Sequence, residues 1–215
     1  MDHAFGLEIP ERLEELCDPL KLALIVYDMR VGILAQIPNA LEITANVARV
    51  LAAARELDFR VYFIRHVSLP NQLAGVAQLR RAKDWQHTAS VAETRPAFPR
   101  NAPQTQIVPE LAPRDTEMVV DKLTMSCFEG TFLSIALRDS RQVAFAIVGV
   151  ALEVGIDPTV RHAADLGFIP VVIGDACGTG NAAAAQRSLE SLAFAGDAII
   201  TNTATICTLL HGVQQ

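Results

Sequence analysis

The sequence predicts an α/β protein, a three-layer sandwich of helices around a six-stranded parallel sheet, and three observations carry that prediction. Six short apolar runs, Leu22–Tyr27, Val61–Ile64, Met118–Val120, Val143–Val150, Phe168–Ile173 and Ala198–Ile200, are nearly unbroken in apolarity, the pattern of strands covered on both faces. Segments of helical periodicity alternate with them, which implies right-handed crossovers between parallel strands. Finally, a chain of 215 residues, 51% of them hydrophobic, can bury one sizeable core. Residues 1–215 therefore read as a single domain.

Along the chain, the N-terminal arm (residues 1–20) carries Pro10 to Cys17 as an amphipathic turn that can pack on the domain or on a second subunit. Between the first two strands, Ile43, Val47, Val50, Leu51, Ala54 and Leu57 fall on one helical stripe, while Arg49, Arg55 and Glu56 stay in water. Residues 67–113 then break the rhythm: the segment is polar, rich in Pro and Gln, and holds Trp85, the chain's one tryptophan. A connection of this length in a compact domain is a functional lid or a subunit contact, with a short helix near Leu73 to Lys83, or else a solvated excursion outside the site. Further helices are expected at about 130–139, 158–166, 182–195 and 203–211. Asp157 reads as an N-cap with Pro158 at the first helical position. The stretch Gly174 to Asn181 lacks the Gly-Lys-Ser/Thr of a phosphate loop and reads as a turn ending at an Asn181 N-cap.

Charge and cysteine usage exclude several functions. A formal charge of −6 and a pI of about 5.3, with no Lys/Arg cluster, argue against nucleic acid or an anionic membrane as partner. No apolar run approaches the ~20 residues a membrane span needs, and the first residues lack the basic start and apolar core of a secretory signal, so a cytoplasmic location is expected. Cys17, Cys127, Cys177 and Cys207 are scattered, without a C-x-x-C pair or histidines at zinc spacing. Reduced thiols follow, with no structural metal and no cofactor. The partner expected is a small-molecule substrate, and the arm and long loop suit a homo-oligomer, dimer or tetramer.

In open parallel sheets ligands bind beyond the carboxyl ends of the strands. That rule selects Asp28, which ends the first strand, Lys122, which closes Met118 to Lys122, and Gly155, which follows the long strand ending at Val150. Each alone is more often an N-cap, a solvated charge or a turn; a carboxylate, an ammonium and a bare backbone turn at one edge form a candidate site. His66 ends the second strand and points to the same region, as proton shuttle, substrate contact or a rim histidine bonded to the loop. Cys127 and Cys177 lie near strand ends too, although a lone cysteine is most often a small buried hydrophobe.

The stretch Gly149 to Ala163 resembles the signature of the isochorismatase-like hydrolases, the cysteine hydrolase superfamily, in which a catalytic cysteine stands where Gly155 stands here. Asp28 matches the Asp of that family's strand-D-x-Q motif, with Arg30 in place of the Gln; Lys122, Ser126, Phe128, Thr131 and Leu133 match its K-x-x-x-S-x-F-x-x-T-x-L segment; Asp175 and Ala176 match its later D-A. The resemblance implies that Asp28, Lys122 and the Gly155 turn form the catalytic centre, that Val150, Ala151, His66 and Phe128 contact substrate, and that Val150-Ala151 is a cis peptide. It further implies an oxyanion hole made by the Ala151 and Gly155 N–H groups. No D-x-H spacing of the metal-binding nicotinamidases follows His66, so no metal is expected. With Gly155 unable to attack a carbonyl, two functions are carried forward. One is cysteine-independent acid/base hydrolysis of a small anionic vinyl ether or amide-like substrate, with Asp28 as acid or base. The other is a non-catalytic binding or scaffold protein derived from a cysteine hydrolase. Lys122 favours Asp28 as a carboxylate, whereas the acid role requires it protonated.

Overall fold

The computed structural model describes residues 1–212. Its first element is a hairpin of β1 (Asp2–Ala4) and β2 (Leu7–Ile9), turned at Phe5 and Gly6, both at positive φ. Residues 13–15 then make one 3-10 turn, which buries Leu16 and Cys17 against the body of the protein. The remainder runs β3 (Leu22–Tyr27), α1 (Val31–Leu34), α2 (Ala40–Glu56), β4 (Val61–His66), α3 (Val76–Gln86), β5 (Met118–Lys122), α4 (Leu133–Asp139), β6 (Ala144–Val150), α5 (Asp157–Asp165), β7 (Ile169–Gly178), α6 (Ala182–Ala195), β8 (Ile199–Thr201) and α7 (Thr203–Gly212).

Six of these strands pair in parallel, in the order β5-β4-β3-β6-β7-β8. All six residues of β3 and all seven of β6 are buried, so the central strands are covered on both faces, as their unbroken apolarity demands. On one face Leu24, Val26 and Val148 pack with Val47 and Leu51 of α2 and Ile206 of α7. On the other, Ile25, Phe145 and Ile147 pack with Leu133 of α4, Val160 of α5 and Leu192 of α6. The chain leaves β3 toward β4 and β5 on one side, and β6 toward β7 and β8 on the other. Strand order therefore reverses between β3 and β6, the point where a parallel sheet opens a crevice.

Several boundaries differ from the sequence reading. β7 runs through to Gly178, so the stretch from Gly174 is strand before it is turn; Asn181 does cap α6, its Oδ1 accepting from the Ala184 N–H at 2.9 Å. Asp157 is not an N-cap. A π-turn over residues 152–156 leads directly into α5, and the Asp157 carboxylate pairs instead with Arg161 at 2.7 Å. Asp175 caps α7, accepting from the Thr203 N–H and hydroxyl. The long connection after β4 holds α3, shifted about one turn beyond the expected helix, and returns through short 3-10 turns, residues 103–105 packing against α1 and residues 109–111 against α2.

Candidate active site

Parallel register places the ends of β3, β4, β5 and β6 side by side: Tyr27 is opposite both Ile64 and Gly149, and His66 is opposite Lys122. Asp28, the first residue beyond β3, has φ +50°, a left-handed conformation that aspartate tolerates better than most non-glycine residues. Its N–H still bonds to the Ile64 carbonyl at 2.9 Å, which holds the turned residue on the sheet edge. Gly149 permits the neighbouring strand to come close: at φ +121° a Cβ there would lie 2.8 Å from the Tyr27 carbonyl carbon. The register shift between Ile147 and Gly149 marks the same crowding.

Asp28 is 6% exposed and fully engaged. Oδ2 accepts from Lys122 Nζ at 3.1 Å, and Oδ1 accepts from the His66 backbone N–H at 2.6 Å and faces Arg30 Nε at 3.0 Å. Burial alone pushes its pKa up; the Lys122 ammonium, the Arg30 guanidinium and His66 outweigh that and hold the carboxyl below its ordinary value. Lys122, 2% exposed, also donates to the Thr124 carbonyl at 3.1 Å and sits 4.4 Å from the centroid of the Tyr27 ring. Burial lowers its pKa below the ordinary lysine value, and Asp28 offsets only part of that. His66 is driven down to about 4, first by burial and then by Lys122, so its imidazole is neutral at neutral pH. His66 Nδ1 is buried with no hydrogen-bond partner among the described residues.

Above this cluster opens a cavity of about 590 Å³. Its floor is made by Tyr27, Asp28, Arg30, His66, Val150, Ala151 and Gly155, and its far wall by the long connection, including Leu79 and Trp85 of α3 and the segment Arg95 to Phe98. Val150-Ala151 is a cis peptide. The Ala151 N–H has no backbone partner among the described residues, whereas the Gly155 N–H donates to the Ala151 carbonyl at 3.0 Å and is consumed within the turn. Of the two N–H groups expected to form an oxyanion hole, only that of Ala151 is left without a backbone partner among the described residues, because the π-turn uses the other.

Gly155 itself backs onto Tyr27. A Cβ at 155 would fall 2.6 Å from ring carbons Cε1 and Cζ and closer still to the hydroxyl, which donates to the Met125 carbonyl. The volume that a side chain at 155 would need is thus already filled by a ring that is 1% exposed. Burial, then Asp28, pushes the Tyr27 pKa well above its ordinary value, so the phenol stays neutral.

Phe128 is placed elsewhere. It lies 5.6 Å, centroid to centroid, from both Phe145 and Phe168 and belongs to the core on the α4–α6 side of the sheet, outside the cavity wall. The motif that carries it begins at a strand end, but the chain turns inward after Thr124, so the ring meets the core instead of a ligand. Cys127 and Cys177 are likewise buried, and burial raises the Cys127 thiol to about 12 and the Cys177 thiol still further. Sequence reasoning missed Tyr27, Phe98 and the pairing of Arg30 with Asp28. The available signals were one tyrosine in an otherwise aliphatic strand and an arginine two residues after the site carboxylate.

Residues 22–205 match the isochorismatase domain, a span that contains the whole six-stranded sheet and every residue of the cluster just described. The chain belongs to the isochorismatase family, whose members are hydrolases. It is 25% identical over 182 residues to the uncharacterized isochorismatase family protein YecD of Escherichia coli O157:H7, covering 79% of this chain and 86% of that protein. It is 26% identical over 208 residues to the ureidoacrylate amidohydrolase RutB of Variovorax paradoxus strain S110, covering 85% and 81% respectively. Among solved structures, the cysteine hydrolase from Pseudomonas syringae pv. phaseolicola 1448A shares the fold with a TM-score of 0.77 at 23% identity, over 91% of this chain and 94% of that one.

Proposed function

We propose that this chain hydrolyses a small anionic, amide-like substrate without a cysteine nucleophile, and that Asp28 acts as the base. One observation carries the reading: a buried carboxylate is clamped between two cations, Lys122 at 3.1 Å and Arg30 at 3.0 Å, on the floor of a cavity. A carboxyl held below its ordinary pKa is ionised at neutral pH, the form a base requires, while the same downward shift weakens its pull on a proton. The acid role needed for vinyl ether cleavage requires the opposite shift, which two adjacent cations oppose. Of the two substrate classes that the sequence leaves open, the amide is the one this electrostatics favours, and RutB, similar over most of both chains, is named an amidohydrolase.

In the proposed reaction water attacks the substrate carbonyl carbon as Asp28 removes its proton. The oxyanion that forms lies toward the Ala151 N–H, and Asp28 then returns the proton to the departing nitrogen, leaving an amine and a carboxylic acid, which passes its proton to the amine or to solvent and becomes a carboxylate. Lys122 keeps Asp28 ionised and oriented. Gly155 contributes a turn with no side chain, and Val150, Ala151 and His66 form the walls that substrate touches. The segment 67–113 serves as the lid of this single domain, its helix α3 closing the cavity from above.

The test is turnover of small carboxylate-bearing amides and vinyl ethers by the wild-type chain and by Asp28→Asn. Hydrolysis of an amide that falls at least about 100-fold in Asp28→Asn, yet survives alkylation of accessible thiols and chelation, supports the mechanism. Undiminished turnover in Asp28→Asn removes Asp28 from it. Binding without turnover in the wild type identifies instead a non-catalytic binding protein, the alternative that a filled Gly155 niche accommodates.

A further inference from the structure

We propose that Arg30 is the anion-reading residue of the cavity, and that the molecule bound there is a small planar monocarboxylate with its carboxylate on the Arg30 guanidinium and its flat body beside Phe98. This rests on the cavity being the substrate site and specifies the charged end of what enters it.

The first support is a charge imbalance. Arg30 is 2% exposed, and a guanidinium stays protonated even when buried. Its one charge partner among the described residues is Asp28, which already pairs with Lys122. Two buried cations thus share a single carboxylate. An uncompensated buried charge is costly, and one further negative charge arriving from the cavity relieves that cost.

The second is unused hydrogen-bonding capacity. A guanidinium offers five N–H donors in a planar fork that matches the two oxygens of a carboxylate. Among the described residues Arg30 Nε and Nη1 are both buried without a hydrogen-bond partner, Nε facing the Asp28 carboxylate at 3.0 Å, while the residue lines the cavity. The fork is also held in place, because Cζ lies 4.0 Å from the centroid of the Phe98 ring, itself part of the cavity wall.

The third is the sign of the surrounding field. Arg30, Arg81 and Arg95 line the cavity against two carboxylates, Asp28 and Asp84, and Lys122 lies just behind. In a chain of formal charge −6 this makes the cavity a locally positive basin, which attracts a small anion.

The probes are benzoate and benzamide, which share ring and shape and differ in charge, titrated calorimetrically into the intact chain at neutral pH. The expected result is benzoate binding at least about tenfold tighter than benzamide, the scale of one charge-assisted hydrogen-bond pair. Arg30→Gln should abolish that preference and Arg30→Lys should keep part of it, having charge without the fork. Arg100→Gln, at a 72% exposed side chain outside the cavity wall, should leave it intact. Equal binding of the two probes, binding of neither, or a preference that persists in Arg30→Gln overturns the proposal. Should Arg30→Gln fail to fold, a benzoate soak of wild-type crystals decides: carboxylate oxygens about 3 Å from the Arg30 fork support it, and an empty cavity or another pose overturns it. Absence of the benzoate preference in the wild type, with Asp28-dependent turnover intact, defeats this subsite alone. A preserved preference with turnover indifferent to Asp28→Asn defeats the proposed reaction alone.

Discussion

If Tyr27 occupies the niche beside Gly155, then Gly155→Ala is destabilising in the wild type and harmless once the ring is removed. The added Cβ would sit 2.6 Å from Tyr27 Cε1 and Cζ, so the ring must retreat by roughly 1 Å to reach ordinary contact. It has little room to do so, being 1% exposed, hydrogen-bonded through its hydroxyl to Met125 and covered by the Lys122 ammonium. Overpacking of this kind costs about 1–3 kcal/mol, and losing the Tyr27 hydroxyl bond costs about 1 kcal/mol more. Replacing glycine by alanine at a position of ordinary φ recovers about 0.4–1 kcal/mol through the unfolded chain. The net expectation for Gly155→Ala is a loss of about 2 kcal/mol. Tyr27→Ala should lose about 3–5 kcal/mol through the cavity it leaves. In that background the methyl added at position 155 enters empty space, so the second substitution should cost nothing or stabilise slightly, a coupling of about 2 kcal/mol between the two positions. Urea unfolding of the wild type, both single variants and the double variant measures it. A Gly155→Ala cost that is the same in both backgrounds to within about 0.5 kcal/mol would refute the interlock. The same geometry bears on introducing a thiol: Gly155→Cys alone drives its side chain into the Tyr27 ring, and only with Tyr27 shortened does the niche accept it.

Two further expectations follow from the charge cluster. Lys122→Met should destabilise the fold by about 3 kcal/mol, the lower end of the cost of orphaning one member of a buried pair, because Arg30 still faces Asp28; a urea-midpoint loss equivalent to under about 1 kcal/mol would contradict that burial. His66 should make stability depend on pH. Its folded pKa of about 4 lies below the ordinary 6.5, so the unfolded chain binds the proton more readily; its contribution is fully present above pH 6.5 and is lost as pH falls through the interval down to about 4. The loss amounts to about 3 kcal/mol, and the pH dependence over this window should flatten in His66→Gln, as read by thermal unfolding across pH.

Strand positions were legible because burial on both faces leaves a one-dimensional trace: Leu22 to Tyr27 and Val143 to Val150 carry almost no polar residue, and the structure puts strands there. The rule that ligands meet the carboxyl ends of parallel strands points to Asp28, Lys122 and Gly155, and the structure sets Asp28 and Gly155 in the cavity lining with Lys122 paired to Asp28. By itself, then, the sequence determined the fold class, the family and which strand ends carry charged residues, since each of these depends on residue type and local order. What side chains meet one another depended on the tertiary structure. Tyr27 and Gly155 lie far apart in the chain and meet only through the β3–β6 register, so nothing local announced that a phenol ring fills the glycine's niche. Phe128 fits a motif that starts at a strand end, yet its ring turns into the core, because a single backbone turn decides which side of the sheet a side chain faces. The ionisation of Asp28 was undecidable from one neighbouring lysine; it follows from two cations and one backbone N–H converging on a buried carboxylate, and only three-dimensional packing sets how many charges share one low-dielectric space.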